Sequence, residues 1–349
     1  MPAYKDETTS TWYNKFYYVD WTGNRKQKFK RGFSTKREAA AWERDFLDKQ
    51  TASPNMTFKS LKELYFEDMA TRLRENTIKS KKAVVDTKIL PYFENLNIDE
   101  IKSPAIRKWQ GEILSQGFSQ SYVRYVHTQL SSIFNYGVTH YNLSENPCKR
   151  AGTIGSTKTK EIEFWTINEY NEFIPHVNPK YVMAFKVLYW SGLRVGELMA
   201  LSPKDIDLEN RIINVDKSYQ KIKKKDVITD PKTPGSIRKV TVPDTLCVEL
   251  KEYMAGFYDL SDTDRIFFFS KQMLNKEITK VCNEMDLKRI TVHDIRHSHV
   301  SLLIELGFPP LLIAERVGHD KVETTLNTYG HLYPNKHSEV ADKLETLIK

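Results

Sequence analysis

The C-terminal half of the sequence carries a tyrosine, Tyr329, close to histidines and arginines that stand in short motifs. Tyr329 lies in the run from Thr325 to His331, and His319 precedes it by ten residues. A tyrosine oxygen can attack a phosphodiester, and the phosphotyrosyl ester that results keeps the energy of the broken bond for rejoining. A phenol with a pKa of about 10 needs cations or a base nearby for this task. The motif therefore indicates Tyr329 as a candidate nucleophile in phosphoryl transfer.

Two arginines lie in motifs that suit them to binding a phosphate. A phosphoryl group under attack gathers negative charge, and the planar guanidinium fork binds two of its oxygens while staying protonated. Arg194 lies between Gly192, which we expect to end one helix, and Glu197, near the start of the next. His293 and Arg296 are three residues apart, so both would lie on one face of a helix. One phosphate could therefore receive both of these side chains.

Each of these residues also has an ordinary structural interpretation when it stands alone. Arg194 would be a surface arginine at a helix junction, and Lys232 would be an exposed turn lysine. His319 would be a capping residue after Gly318, a predicted helix-terminating glycine. Tyrosines commonly pack half-buried, so Tyr329 alone would be assigned to packing. The combination of motifs, rather than any single residue, favours catalysis.

His293 and His297 are four residues apart, a spacing that also suits zinc ligands on a helix. In metalloproteases with that spacing a glutamate follows the first histidine, whereas this sequence has Asp294 there. Arg296 would also place a cation beside the metal. We therefore expect His297 to be structural, and we expect neither a metal nor another cofactor.

The segments from Gly192 to His331 together resemble the tyrosine recombinase (phage integrase) family, and the resemblance extends over nearly the whole chain. The resemblance implies that the catalytic residues are Arg194, Lys232, His293, Arg296, His319 and the nucleophile Tyr329, supported by Glu197 and His331. Lys232 would be the family's β-hairpin lysine, the general acid that protonates the departing 5′ hydroxyl. Four other lysines are alternatives for that role: Lys223, Lys224, Lys225 and Lys239. The implied reaction cleaves and rejoins DNA through a 3′-phosphotyrosyl intermediate.

The resemblance also implies partners and a biological setting. The expected substrate is double-stranded DNA with core-type and arm-type attachment sites, at which a phage or mobile element integrates. The expected assembly is a homotetramer on DNA, in which the tail at residues 335–349 packs on a neighbouring protomer. An excisionase and a DNA-bending host protein are expected accessory partners. Two other functions stay open here: DNA relaxation in the manner of a type IB topoisomerase, and DNA binding without catalysis.

A chain of 349 residues is long enough for two or three domains. We expect an α+β multidomain fold whose first domain, at residues 1–52, is a small three-stranded sheet with one helix. Aromatic-rich runs flank a turn there, and Thr35 with Glu38 makes a capping box. This segment resembles the arm-site DNA-binding domain of related integrases. Its basic residues, including Lys28, Lys30 and Arg31, suit either DNA docking or a solvated face.

Residues 56–147 are predicted to be an all-helical domain that binds the core site. Ser119 precedes a long helix whose apolar stripe indicates core packing. The members of that stripe are Val123, Val126, Leu130, Ile133 and Phe134. An earlier helix carries Lys79, Lys81 and Lys82, which form either a solvated face or a phosphate-contact surface.

Proline-containing pairs are predicted to mark boundaries in and after this domain. Ser103 would cap a helix with Pro104 at its first position, and Asn146 with Pro147 would end the domain. A basic flexible linker is expected at residues 148–164.

Residues 165–349 are predicted to form a mostly helical catalytic domain with a small antiparallel sheet. A second capping box, Thr166 with Glu169, opens it. Strand-like runs at 212–215 and 240–242 bracket the turn signal from Pro231 to Ser236, which we interpret as a hairpin whose tip carries Lys232.

Composition is compatible with this function and excludes several others. The formal charge of +8 and the pI near 9.0 suit a polyanionic partner. Three dispersed cysteines cannot form a disulfide framework. No apolar run is long enough to span a bilayer, so we expect no membrane partner and a cytoplasmic location, on DNA in a bacterial host.

Overall fold

The computed structural model describes residues 3–19, 25–50, 55–156, 162–222, 225–231, 234–333 and 344–348. The chain divides into two compact units, Met1–Thr159 and Lys160–Lys349. Within the described ranges no helix is long and apolar enough to cross a membrane.

The chain begins with an antiparallel three-stranded sheet covered by one helix, which confirms the predicted arrangement. The strands are β1 (Tyr4–Lys5), β2 (Trp12–Val19) and β3 (Arg25–Phe33), in that order, and α1 (Lys36–Gln50) follows. Thr35 Oγ1 accepts from the Glu38 N–H (3.1 Å), as a capping box requires. Phe16 of β2 packs against Trp42 and Phe46 of α1, with ring centroids 5.5 and 5.4 Å away.

In the described part of the first unit the helices after α1 are α2 (Phe58–Ala70), α3 (Glu75–Lys88), α4 (Leu90–Phe93), α5 (Ser103–Ser115), α6 (Gln120–His140) and α7 (Pro147–Ala151). Ser119 caps α6, because its side chain accepts from the Tyr122 N–H (3.3 Å). All five residues of the predicted stripe on α6 are buried in the core of the helices.

Two predicted boundaries of this unit are wrong. Ser103 is the first residue of α5 rather than its cap, which is Lys102. Asn146 and Pro147 begin α7 instead of ending the domain, because the Asn146 side chain accepts from the Cys148 N–H (2.9 Å) and proline suits a first turn. Cys148 is buried with the helical core, so the start of the predicted linker belongs to the folded unit.

The second unit is mostly helical, with small sheets, as predicted. Its helices are α8 (Ile167–Phe173), α9 (Pro179–Ser191), α10 (Val195–Leu198), α11 (Asp244–Ala255), α12 (Lys271–Met285), α13 (Asp294–Glu305), α14 (Pro310–Val317) and α15 (Val322–Tyr329). The capping box of Thr166 and Glu169 is present, with a 2.7 Å bond from the Thr166 N–H to Glu169 Oε2.

The strands of the second unit form a three-stranded sheet and a separate hairpin. Strands β4 (Ile206–Asp207), β5 (Ile212–Val215) and β8 (Arg238–Thr241) pair antiparallel in that order, and β6 (Ser218–Ile222) pairs with β7 (Lys225–Thr229). The β6–β7 hairpin was not predicted, because its lysine-rich strands lack a run of apolar residues. The predicted position of Lys232 at a hairpin tip lies outside the described residues, which end at Pro231 and resume at Pro234.

Candidate active site

Arg194 lies at the junction of two helices, as the sequence predicts. Gly192 ends α9 in the left-handed conformation (φ 69°), and Arg194 directly precedes α10. The Arg194 N–H donates to Glu197 Oε2 (2.9 Å), and its Nη1 donates to Oε1 (2.8 Å). Its Nη2 donates to the Gly318 carbonyl (3.0 Å). The Arg194 side chain is still 36% exposed. Its hydrogen bonds therefore fix its position, and part of the guanidinium remains accessible to a ligand.

Glu197 is a buried carboxylate shared by two arginines. Arg238 of β8 donates to it through Nη2 (2.8 Å) and Nη1 (3.3 Å), in addition to Arg194. Burial acts to raise the pKa of Glu197, but the hydrogen bond and charge of Arg238 and the charge of Arg194 lower that pKa overall. Glu197 is therefore ionised and fixes the direction of Arg194.

Arg238 is a residue of the site that the sequence reasoning missed. It is buried, and its Nε and Nη1 also donate to the carbonyls of Arg316 (2.7 Å) and Ser236 (3.1 Å). A Cβ on Gly318 would stand 3.0 Å from Arg238 Nη1. One guanidinium thus joins β8 to the end of α14. The sequence did contain a sign of this role: Arg238 is two residues before Val240 on a predicted strand, so the two side chains lie on the same, buried face.

Arg296 lies on α13 and is only 3% exposed. Its Nη1 donates to the Gly192 carbonyl (2.9 Å), and its Nη2 contacts the Val317 carbonyl. These carbonyls lie at the C-terminal ends of α9 and α14, where the helix dipole is negative. Gly192 is required here, because a Cβ would stand 2.4 Å from the His299 ring. Burial and the charge of Arg194 lower the pKa of Arg296 to about 9, so it is cationic at neutral pH.

His293 and His319 are imidazoles close to these arginines. His293 directly precedes α13, and burial followed by the Arg296 charge lowers its pKa. His319 follows Gly318, which ends α14 in the left-handed conformation as predicted, and its Nδ1 lies 2.8 Å from Thr325 Oγ1. Burial, then the charges of Arg296 and Arg194, lower the pKa of His319 to about 4. Both rings are therefore neutral near pH 7, and the positive charge of the site resides on its arginines.

Tyr329 is the last residue of α15 and is 1% exposed. Its neighbours in a small apolar cluster are Val300, Ile304, Ile313 and Val317. Its hydroxyl contacts Nδ1 of His297, a residue that the sequence reasoning regarded as structural. Burial raises the pKa of Tyr329 to about 12, although the charge of Arg296 opposes this shift. The phenol is therefore protonated in this state, despite the nearby cations.

Two predicted site residues are not placed in this group. Lys232 lies outside the described residues, as do Lys223 and Lys224, while Lys225 and Lys239 are exposed on their strands. His331 is exposed in the short 3₁₀ turn after α15. The described contact of the Tyr329 hydroxyl is with His297, and the supporting role of His331 stays a prediction.

A cavity of about 350 Å³ adjoins Arg194 and His319. Pro231 and Ser236, which flank the segment containing Lys232 in the chain, also line it. Lys217 lines the same cavity and is bound to Asp205 (Nζ to Oδ2, 2.6 Å). The cavity therefore offers space for an anion beside the exposed face of the arginine.

The basic residues predicted to bind DNA in the first unit are only partly grouped. Lys28 and Lys30 lie on the face of the sheet that α1 covers, near the rings of Phe46 (5.0 Å) and Trp42 (5.8 Å). Arg31 lies on the opposite face, 5.0 Å from the Phe29 ring, because neighbouring strand residues alternate. These three residues therefore do not form a single patch on one face.

On α3, the three predicted lysines differ in their surroundings. Lys79 and Lys82 are exposed. Lys81 donates to Gln129 Oε1 (2.8 Å) on α6. Lys79 and Lys82 are therefore the members of this set that are most open to a phosphate.

Comparison with known proteins places this architecture in a family. Residues 163–336 match the model of the Phage integrase family, residues 2–50 an Arm DNA-binding domain, and residues 57–114 the Phage integrase N-terminal SAM-like domain. The ICEBs1 integrase of Bacillus subtilis is 33% identical over 337 residues, which are 90% of this chain and 91% of that protein. The chain belongs to the phage integrase family. It is thus a tyrosine recombinase, the class of site-specific DNA recombinase that the motifs indicated.

Other relatives agree with this assignment. A XerC-like tyrosine recombinase of Caldanaerobacter subterraneus is 27% identical over 355 residues, covering 90% of each chain. The Tn1549 transposon integrase, solved with circular intermediate DNA, superposes with a TM-score of 0.70 at 18% identity, over 84% of this chain and 99% of that one. A lambda integrase dimer bound to a core site superposes with a TM-score of 0.61 at 14% identity, over 96% and 97%. At these identities the structural matches establish the shared fold.

Proposed function

We propose that Tyr329 is the nucleophile with which this recombinase cleaves a DNA strand. One observation carries the proposal: the Tyr329 hydroxyl contacts His297, which directly follows Arg296 on α13. A phosphate bound by two arginines there would meet the phenol at the end of α15. The Tyr329 hydroxyl loses its proton to water as its oxygen forms a bond to phosphorus. The bond from phosphorus to the 5′ oxygen breaks, the departing oxygen takes up a proton, and a 3′-phosphotyrosine remains.

The other residues of the site have complementary roles in this proposal. Arg194 and Arg296 bind the non-bridging oxygens and stabilise the charge that gathers on them. His293 and His319 are neutral and add hydrogen bonds to the same group. Lys232 supplies a proton to the departing 5′ oxygen, and its flanking residues line the cavity beside Arg194. The 5′ hydroxyl of a partner strand then attacks the phosphotyrosine and releases Tyr329.

Capture of the covalent adduct tests the nucleophile. Protein–DNA adducts formed in a bacterial host are isolated and sequenced to locate the cleavage site, and a duplex nicked near that site is used as a suicide substrate. We expect Tyr329→Phe to form no adduct while it binds the duplex with unchanged affinity. Tyr333→Phe is the matched control and should form the adduct at the parental rate. An adduct formed by Tyr329→Phe would show that another residue is the nucleophile.

We also propose that the substrate is duplex DNA with core-type and arm-type attachment sites of a phage or mobile element. The match of residues 2–50 to an Arm DNA-binding domain supports this, as do the exposed lysines of α3. Short DNA is stiff, with a persistence length of about 150 base pairs. Occupying two kinds of site with one protein therefore requires bent DNA, which is the reason to include a DNA-bending host protein. An excisionase would set the direction of the reaction.

A homotetramer on DNA is the proposed assembly. Leu303, Phe308 and Leu312 line an apolar groove of about 420 Å³ between α13, α14 and β8. Near the C-terminus, Leu344, Leu347 and Ile348 are exposed by 55, 79 and 76%. We propose that the tail of one protomer, within residues 335–349, packs into this groove on a neighbour, because burying the two apolar surfaces together removes both from water.

A further inference from the structure

The Tyr329 hydroxyl contacts His297, a residue outside the set that is proposed to bind the phosphate. His297 lies on α13 directly after Arg296, and its Nδ1 contacts the Tyr329 hydroxyl at the end of α15. The two rings are 5.5 Å apart between centroids, at an interplanar angle of 54°. One turn of α13 therefore carries both a phosphate-binding arginine and a group that touches the candidate nucleophile.

The surroundings of His297 favour one protonation state. Its Nε2 lies 4.0 Å from Asp294 Oδ1, and the other oxygen of that carboxylate accepts from the Thr291 N–H (2.7 Å). A fixed negative charge on this side favours a proton on Nε2. Nδ1 then has a lone pair that faces the tyrosine. Burial and the neighbouring His293 lower the pKa of His297 to about 4, so the ring is neutral near pH 7.

A neutral imidazole can only accept a hydrogen bond at an unprotonated Nδ1, so the Tyr329 hydroxyl must be the donor. A phenol has one proton. When that proton points to His297, the lone pairs of the oxygen point elsewhere and are free to approach phosphorus. Without His297, the hydroxyl would donate to an oxygen of the bound phosphate, and this would hold the nucleophile in an unproductive orientation.

We propose that His297 is a positioning residue, which accepts the hydrogen bond of the Tyr329 hydroxyl and so directs the oxygen for attack. The inference rests on the proposed role of Tyr329 as nucleophile. His297 acts on the tyrosine and does not itself contact the reacting phosphate. The residue is therefore expected to affect the rate of cleavage and to leave the affinity for DNA unchanged.

Two substitutions distinguish this role from packing. In His297→Asn, the side-chain oxygen lies close to the position of Nδ1 and can still accept the hydrogen bond from Tyr329. His297→Phe keeps a ring of similar size but has no atom that accepts a hydrogen bond. We expect His297→Phe to lower the single-turnover cleavage rate on a nicked substrate by about tenfold to a hundredfold. His297→Asn should stay within about fivefold of the parent, and both should bind duplex DNA with the parental Kd. His176→Phe, at an exposed histidine, is the matched control.

The ranking of the two variants decides the question, because a residue that only fills space would be replaced better by phenylalanine than by asparagine. His297→Phe that cleaves as fast as His297→Asn overturns the inference. A second measurement does not depend on how these variants fold: the ¹⁵N resonances of the His297 ring in the parent and in Tyr329→Phe. We expect the Nδ1 signal to shift when the donor is removed, and an unchanged signal also overturns the inference.

The outcome can be separated from the test of the proposed function. If Tyr329→Phe still forms an adduct, the nucleophile is wrong and the role of His297 falls with it. If Tyr329 is the nucleophile but the histidine variants rank the other way, only the positioning role is refuted.

Discussion

Glu197 is a buried carboxylate that binds both Arg194 and Arg238. Substitution of Arg238 tests directly how much this ion pair stabilises the site. Replacing Arg238 with methionine keeps much of the side-chain volume and removes the charge. Glu197 then loses its 2.8 Å partner while both positions stay buried, with side chains only 5 and 6% exposed in the parent. The carbonyls of Ser236 and Arg316 lose their donor as well.

The expected loss of stability follows from these contacts. Removing one partner of a buried ion pair costs about 3–5 kcal/mol, because the other charge remains buried without compensation. Arg194 still bonds to Glu197 at 2.8 Å, so the carboxylate keeps one cationic partner. The cost of losing Arg238 should therefore lie at the lower end of that range. Loss of the 2.7 Å hydrogen bond from Arg238 Nε to the Arg316 carbonyl adds about 1 kcal/mol. We therefore expect Arg238→Met to destabilise the second unit by about 3–5 kcal/mol.

The assay must report on the second unit within the full chain, because unfolding of a protein with two units is not a single two-state transition. Hydrogen exchange followed by mass spectrometry, measured against urea concentration, gives the opening free energy of peptides from α9 and α13. Arg211→Met is the matched control, because its ion pair with Asp244 is exposed (49 and 78%). An exposed pair contributes less than about 1 kcal/mol.

A double substitution supplies the refuting result. Arg238→Met combined with Glu197→Met removes both charges, and we expect it to be more stable than Arg238→Met alone. If the single variant lies within about 1 kcal/mol of the parent, Glu197 does not depend on Arg238. If the double variant is less stable than the single one, the cost does not come from an uncompensated carboxylate.

Two further predictions concern the assembly and the response to pH. Replacing Phe308 with serine in the apolar groove should weaken tetramer formation on DNA, measured by analytical ultracentrifugation, and leave the binding of one protomer to a single site intact. Phe268→Ser is the control, because Phe268 is also exposed. Equal effects of the two substitutions would contradict the docking of the tail in the groove. Burial, then the charge of Arg316, lowers the pKa of His299 to about 3 from 6.5, so its unfolded form binds a proton more readily. The stability of the second unit should therefore be fully present above pH 6.5 and fall as the pH drops from 6.5 toward 3, with a slope of up to about 1.4 kcal/mol per pH unit from this residue. Opening free energies of peptides from α9 and α13, measured by hydrogen exchange at pH values between 7 and 4.5, give this slope. His299→Gln should flatten the slope, and an unchanged slope would refute the assignment.

The features that the sequence predicted well are those determined by neighbouring residues. The capping box of Thr166 and Glu169, the buried stripe of α6 and the left-handed glycine before His319 each depend on a few consecutive positions. The roles of Arg238 and His297 depend on partners 41 and 32 residues away, which local patterns do not encode. Asn146 with Pro147 shows a different difficulty, because the same pair can follow one helix and begin the next.

The helix ends at Gly192 and Gly318 have a consequence for how the recombinase responds to salt. The guanidinium of Arg296 is held by the carbonyl ends of two helices, and the described hydrogen bonds give it no carboxylate partner. Carbonyl dipoles orient a cation without neutralising its charge. In the described hydrogen bonds Glu197 pairs with Arg194 and Arg238, and Arg296 adds a third positive charge that this carboxylate does not bind. We expect this excess charge to attract a small anion from solution when no DNA is bound. Chloride or sulfate should therefore inhibit cleavage by occupying the phosphate position itself, in addition to screening the outer surface.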